Sequence, residues 1–247
     1  LLHVTDSPYE AAKAAVGSSL VSDARLALIE LSKLVNQRSV TDKSNTSYRE
    51  NKAVEPIKYP LTAQNVFDSL SANLPERYIL VQESPSNVQE LSASKLGIIN
   101  EPDSYYAMSS GGLGWDMPAA IGLAFSEQQS NRNRPVILIM GDGSFQYSPQ
   151  AIWTGVQQYL HVIVIVLRNE EYGILKSFAL LEDTPNVPGL DLPGLDSIAI
   201  AQGYGAAAYH VKTVDELQSR FQEALQHTKG VTVIEIPIDK KILPLIR

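Results

Sequence analysis

Cysteine is absent from this 247-residue chain. Its absence excludes disulfides, thiolate nucleophiles, zinc-thiolate sites and iron-sulfur clusters, and it fits a cytoplasmic protein. Positive charge is also scarce: 20 Lys and Arg against 27 Asp and Glu leave a formal net charge of -7. Nucleic acid is therefore not an expected partner, because its backbone needs a Lys/Arg surplus on at least one face. An anionic ligand remains acceptable if a metal supplies the positive charge. No apolar run approaches the roughly 18 residues that a membrane helix needs, so no membrane is expected either. Histidine is sparse as well. His3, His161, His210 and His227 show no ligand spacing and read as surface or strand-edge residues rather than catalytic ones. The opening stretch LLHVTDSPYE has no initiator Met, no basic segment and no signal-type apolar block. It reads as the inside of a longer protein.

What is present is an alternation of buried strands and helices. Residues 1–38 give a strand over 1–4, an Asp-Ser-Pro turn and an amphipathic helix carrying Leu26, Ile29, Leu31, Leu34 and Val35. That is too little to bury a core of its own. Residues 39–56, SVTDKSNTSYRENKAVEP, are polar and nearly free of large aliphatics, so we assign 39–58 as a linker and 59–247 as a domain. Within that domain the pattern predicts helices over 62–74, 149–159 and 196–202, the last closed by Gly203, and strands over 78–81, 136–140, 162–167 and 231–236. Thr213 and Glu216 form a capping box that opens a helix to about His227. GGLGWDMPAAIGLAF reads as a Gly-rich turn followed by a helix with Pro118 in its first turn. Continuous apolar strands alternating with helices specify an α/β fold with a parallel sheet covered on both faces. VPGLDLPGLD, residues 187–196, repeats Pro-Gly-Leu-Asp and reads as two turns in one surface loop.

In such sheets ligands collect at the carboxyl ends of the strands. Asp142 follows the strand over 136–140 and Asn169 follows the strand over 162–167. If those strands are neighbours, their ends lie about 5 Å apart and the two side chains could reach one ion. A carboxylate, an amide oxygen, a backbone carbonyl and water suit Mg²⁺ or Ca²⁺ and not zinc. Mg²⁺ usually keeps a phosphate among its ligands. The turns around Gly143 and Ser144 and over 111–114, with Ser84, Ser86 and Asn87, offer donors for one. Neither a G-x-x-x-x-G-K-[ST] loop nor a G-x-G-x-x-G fingerprint occurs, so nucleotide hydrolysis and dinucleotide binding get little support. The competing reading of Asp142 is a turn aspartate that caps the next helix.

GDGS at 141–144 with Asn169 one strand later resembles the signature of thiamine diphosphate enzymes. SSGGLGWDMPAAIG, GDGSFQYSPQAIWT, NEEYGILKSF and NVPGLDLPGLD are most similar to the 2-oxo acid decarboxylases of that superfamily that act on benzoylformate. The resemblance runs through nearly all of 59–239, and residues 1–38 resemble the end of the family's central domain. It implies thiamine diphosphate and Mg²⁺ as cofactors, with Asp142, Asn169 and the Glu171 carbonyl as metal ligands. Gly143, Ser144, Tyr172, Gly173 and Ser86 would surround the diphosphate. Leu113 would support the bent cofactor and the Gly111 carbonyl would hold its amino group. Phe178, Ile174 and Ala107 would shape a pocket for a small 2-oxo acid. The chain departs from the family pattern at Gln82, Pro85 and Arg168. The family's activating glutamate and catalytic histidines belong to an N-terminal domain that no segment here matches; Glu83 and Glu90 lie outside the required motif. The resemblance thus implies half of an active site, inactive alone, in a homo-oligomer (dimer or tetramer). An acetolactate synthase-like enzyme or a noncatalytic cofactor-binding module stays open beside it.

Overall fold

The computed structural model describes residues 1–14, 16–36, 57–99, 101–242 and 245. The chain divides into two units, Leu1–Glu50 and Asn51–Arg247. The linker expected over 39–58 falls, save for its last two residues, outside the described residues.

In the first unit β1 (Leu2–Thr5) runs parallel to β2 (Ser18–Val21), with helices α1 (Pro8–Ala12) and α2 (Ala24–Leu34). The predicted Asp-Ser-Pro turn is a helix cap: the Ser7 side chain accepts from the Glu10 N–H, and Pro8 takes the first helical position, where its missing N–H costs nothing. Ala27 is the one buried residue among the described residues of this unit, so those residues bury no core of their own.

The second unit is built on six parallel strands. After α3 (Ala63–Ser71) come β3 (Ile79–Glu83), a 3-10 turn over Pro85–Asn87, α4 (Val88–Ala93) and β4 (Tyr105–Ala107). Next follow α5 (Asp116–Gln129), β5 (Val136–Gly141), α6 (Asp142–Phe145), α7 (Ala151–Gln157) and β6 (His161–Arg168). The chain ends with α8 (Gly173–Leu181), α9 (Ser197–Gly203), β7 (Ala207–His210), α10 (Val214–Gln226) and β8 (Gly230–Pro237). The strand order is β4-β3-β5-β6-β8-β7.

Strand residues alternate between two cores. Ile137, Ile139, Ile163 and Ile165 pack with Phe67 and Phe221 on one face, while Leu138, Met140, Val164 and Val166 pack with Met117 and Ile152 on the other. Both faces are thus buried, which is why these strands read as unbroken apolar runs. The capping box at Thr213 and Glu216 forms in both directions. Four elements of this unit had no signal in the sequence: α4, α8, and the edge strands β4 and β7, whose three and four residues are only partly buried.

The topology positions the site. From β3 the chain crosses to β4 on one side and then returns to β5 on the other, so the strand order reverses between β3 and β5. A crevice outside the carboxyl ends of the strands is expected at that switch point.

Candidate active site

The crevice is there. A cleft is lined by Ser84, Pro85, Ser86 and Asn87 after β3, by Gly141 at the end of β5 and Asp142, Gly143 and Ser144 after it, and by Leu167 near the end of β6 and Asn169, Glu171, Tyr172, Gly173 and Ile174 after it, with Leu113 also in its wall. A larger cleft, of about 330 Å³, borders the amino ends of β5 and β6. Its wall uses Glu127 and Arg134, already committed to each other at 2.8 Å.

β5 and β6 are neighbours in register, Gly141 opposite Leu167, so Asp142 and Asn169 both stand just past paired residues. Asp142 is 2 % exposed and is the first residue of α6, not its cap. Its Oδ1 accepts from the Gly143 N–H at 2.9 Å and its Oδ2 from the Glu170 N–H at 2.7 Å, across the strand gap. The carboxylate therefore ties the ends of two strands together. Burial pushes its pKa up to about 6, against the pull of those two amides; Glu235 adds to the rise and Arg168 opposes it.

Asn169 Oδ1 accepts from the Glu171 N–H at 3.2 Å. The next residues pair with the Pro-Gly-Leu-Asp repeat, which makes the two surface turns expected of it and a short ladder between them. Gly189 and Gly194 do make turns at φ of 78° and 74°. Between them the Tyr172 N–H donates to the Leu190 carbonyl at 2.9 Å and the Leu192 N–H to the Glu170 carbonyl at 2.8 Å. Glu171 faces Asp191 as the non-hydrogen-bonded pair of this ladder. Residues in such pairs turn their own N–H and C=O away from the partner strand. The Glu171 carbonyl accordingly accepts no hydrogen bond among the described residues. Its side chain turns elsewhere, to Lys176, which also reaches Asp191 at 2.6 Å.

Two glycines keep this site open. A Cβ on Gly173 would stand 3.1 Å from both Asn169 Nδ2 and Ser86 Oγ, and one on Gly143 would stand 2.6 Å from the Tyr172 ring. A side chain at Gly173 would thus crowd Asn169 and Ser86, and its absence lets the backbone lie close to both polar groups. Among the described residues, no three His, Asp or Glu side chains are spaced to hold a metal. An ion here would use one carboxylate, one amide and one carbonyl, and would take its remaining oxygens from a ligand or water. The donor set thus fits Mg²⁺ or Ca²⁺ with a diphosphate.

Three predicted residues do not join the cleft lining. Gly111 has open space around it at φ 73°, Ala107 ends β4, and Phe178 is exposed on α8.

Sequence reasoning missed two networks behind the cleft. Arg168 donates to Glu235 at 3.2 Å and to Glu170 at 3.0 Å; Glu235, buried on β8, also meets His210 at 2.8 Å and the Ser197 hydroxyl. On the other side Glu83 takes backbone N–H groups from Gly114 and Asp116, which anchors the turn that carries Leu113. The signal was an acid inside an otherwise apolar strand, IEIP at 234–237 and ILVQE at 79–83. Such an acid needs a partner, and nothing in the linear sequence says which.

Comparison with known proteins places this fold in a family. Residues 90–236 match the model of the thiamine pyrophosphate enzyme C-terminal TPP binding domain. The chain is 38% identical to a benzoylformate decarboxylase of Pseudomonas aeruginosa over 96% of its own length and 43% of that relative. Among solved structures it resembles benzoylformate decarboxylase from Polynucleobacter necessarius, at 53% identity and a TM-score of 0.86, covering 99% of this chain and 45% of that one. It also resembles a 4-hydroxybenzoylformate decarboxylase of Rhodococcus jostii, at 31% identity and a TM-score of 0.83, covering 98% of this chain and 44% of that one. The chain spans under half the length of these relatives.

Proposed function

The chain belongs to the thiamine pyrophosphate enzymes through that family's C-terminal TPP binding domain, and we propose that it forms the diphosphate-binding side of the active site of a thiamine diphosphate- and Mg²⁺-dependent decarboxylase of 2-oxo acids. The observation that supports this reading is the switch-point cleft, which Asp142, Asn169 and Glu171 line together with Ser86 and Gly173, the Glu171 carbonyl accepting no hydrogen bond among the described residues. Asp142, Asn169 and Glu171 would hold the ion. Gly143, Ser144, Tyr172, Gly173 and Ser86 would enclose the diphosphate, and Leu113 would support the rest of the cofactor. When bound, thiamine diphosphate supplies an electron sink for the electrons left behind as carbon dioxide departs from a 2-oxo acid.

Benzoylformate is the favoured substrate, because all three relatives above carry that acid, or its 4-hydroxy form, in their names. Ile174 faces the cleft and would bear on acid choice, where a few methylenes change preference by about 1 to 3 kcal/mol. Residues 1–38 would be the end of a central domain, since likeness to the relatives extends over 96% and 99% of the chain. Turnover would need the thiamine-side domain and a homo-oligomer, dimer or tetramer. The exposed Leu175, Phe178, Leu180 and Leu181 of α8 support a covered face, and a monomer in light scattering at high concentration would count against it. Among the described residues no helix is long and apolar enough to cross a membrane, and the cysteine-free composition fits a cytoplasmic enzyme.

Titration calorimetry with thiamine diphosphate, with and without Mg²⁺, tests the reading. We expect binding that depends on the metal, with Ca²⁺ as a weaker substitute. Metal-independent heat or none at all would refute it. The purified chain should release no carbon dioxide from benzoylformate; measurable release would overturn the half-site assignment.

A further inference from the structure

The buried end of β3 holds a second pair of acids, Glu83 and Asp116, both 0 % exposed. Glu83 commits each of its oxygens to backbone: Oε1 accepts from the Gly114 N–H at 2.8 Å and Oε2 from the Asp116 N–H at 2.9 Å. This is a helix cap delivered from a neighbouring strand. Trp115, at the N-cap of α5, makes no side-chain cap of its own. Two N–H donors and a helix N-terminus suit an ionised Glu83.

The surroundings of Asp116 are opposite. Neither of its carboxyl oxygens has a hydrogen-bond partner among the described residues. The titratable groups facing it are Glu83 from β3 and Tyr105 from β4, while Tyr147 packs on Gly114 from beyond the turn. Among the described residues no cation pairs with it. A buried carboxylate without donor or counter-ion is among the costliest arrangements a protein can hold. The neutral acid avoids that cost, because its own O–H can donate and Glu83 is the acceptor beside it.

We propose that Asp116 is a carboxylic acid in the folded protein at neutral pH, that its O–H donates to the Glu83 carboxylate, and that this shared proton fixes the turn over 111–114 that presents Leu113 to the cleft. Glu83 and Asp116 are then positioning residues. The shared proton rests on the burial of both acids, the unpartnered Asp116 oxygens and the Glu83 carboxylate at the Asp116 N–H; the positioning role rests on the cofactor reading given above. Burial acts in the same direction, lifting the Asp116 pKa to about 8, with the charge of the neighbouring Glu83 adding to the rise. Above that pH two anions would share one buried helix end, and the turn would lose its anchor.

The sign follows from linkage. Asp116 is protonated in the fold and ionised in the unfolded chain at any pH between its two pKa values. Its contribution is therefore complete at low pH and is lost as pH rises, the folding equilibrium constant falling about tenfold per pH unit up to about 8. The test is infrared spectroscopy of the chain across that range. We expect a protonated-carboxyl C=O band at neutral pH that fades toward pH 8 and is missing in Asp116→Asn. The Asn amide still donates to Glu83, so this variant should fold, with a tenfold weaker pH dependence per unit, and should keep metal-dependent thiamine diphosphate binding above pH 8, where the parent loses it. Asp116→Leu, which cannot donate, should weaken that binding at every pH. No such band, or a band unmoved by Asp116→Asn, overturns the proposal. A band with the expected loss, beside cofactor binding indifferent to Asp116→Leu, overturns the positioning role. The same band in a chain that binds no cofactor at any pH establishes the shared proton and sinks the positioning role together with the cofactor reading.

Discussion

Asp142 and Glu83 close adjacent strands, Glu83 opposite Met140 and Asp142 two residues beyond it, yet burial is answered differently at the two ends. Asp142 accepts backbone N–H groups from its own turn and from the turn after β6, and it lines the cleft. Glu83 also accepts two N–H groups, but both come from one segment, and neither Glu83 nor Asp116 reaches the cleft wall. One acid is thus left facing a cavity, its pKa pushed up to about 6 by burial, in the state a cation would relieve. The other is sealed in, with a second acid as neighbour. The lesson is that donors alone do not make an ion site. Access to the cavity separates a ligand from a brace.

The sharpest way to break that distinction is to remove each acid in turn. Asp142→Ala should abolish metal-dependent thiamine diphosphate binding in calorimetry while circular dichroism keeps its native signal. Undiminished affinity would end the metal assignment. Glu83→Ala should act on the fold instead: two buried N–H groups lose their acceptor, at about 1 to 3 kcal/mol each. We expect urea unfolding to report a loss of about 3 kcal/mol. If Glu83→Ala left stability unchanged and abolished binding, the two acids would not differ as described.

How far all this was legible depends on how local each signal is. The four strands β3, β5, β6 and β8 are apolar runs because both faces of a central parallel strand are buried, so each declares itself. β4 and β7 are edge strands of three and four residues whose partners supply most of their burial, and nothing in YYA or AAYH specifies a strand. The site divides in the same way. Asp142 and Asn169 stand at strand ends that can be counted off the sequence. The Glu171 carbonyl could be named only by resemblance, because its availability depends on a pairing with residues 190–192 that two turn-like repeats conceal. The partnership of Arg168 with Glu235 spans 67 residues, and a separation of that size leaves no pattern to read. Gly111, Ala107 and Phe178 were carried over from the family and do not line the cleft of this chain.

The Arg168 network tests whether the Asp142 end is held by charge as well as by amides. Arg168→Met leaves Glu235, whose side chain is 3% exposed, with His210 and Ser197 but without its guanidinium. Unpairing one partner of a buried ion pair costs about 3 kcal/mol or more; the two remaining contacts bring our expectation to about 2 kcal/mol in urea unfolding. Rescue by Arg168→Lys should be partial, since an ammonium cannot bridge Glu235 and Glu170 as the guanidinium fork does.

The smallest effect is the most discriminating about Glu170. Its backbone N–H donates to Asp142, while its side chain lies between Arg168 and Lys240, at 3.0 and 2.9 Å. The Lys240 and Glu170 side chains are 59% and 41% exposed, a surface pair worth about 0.5 kcal/mol or less. If the site is held through the backbone, Lys240→Ala should leave stability within that margin and metal-dependent cofactor affinity unchanged, at low and high salt alike. A tenfold loss of affinity in Lys240→Ala, growing as salt is removed, would mean that the Glu170 side chain and not its amide keeps Asp142 in place. The metal end of the sheet would then be braced by surface charge, and the contrast with the sealed Glu83 end would rest on solvent exposure rather than on access to the cleft.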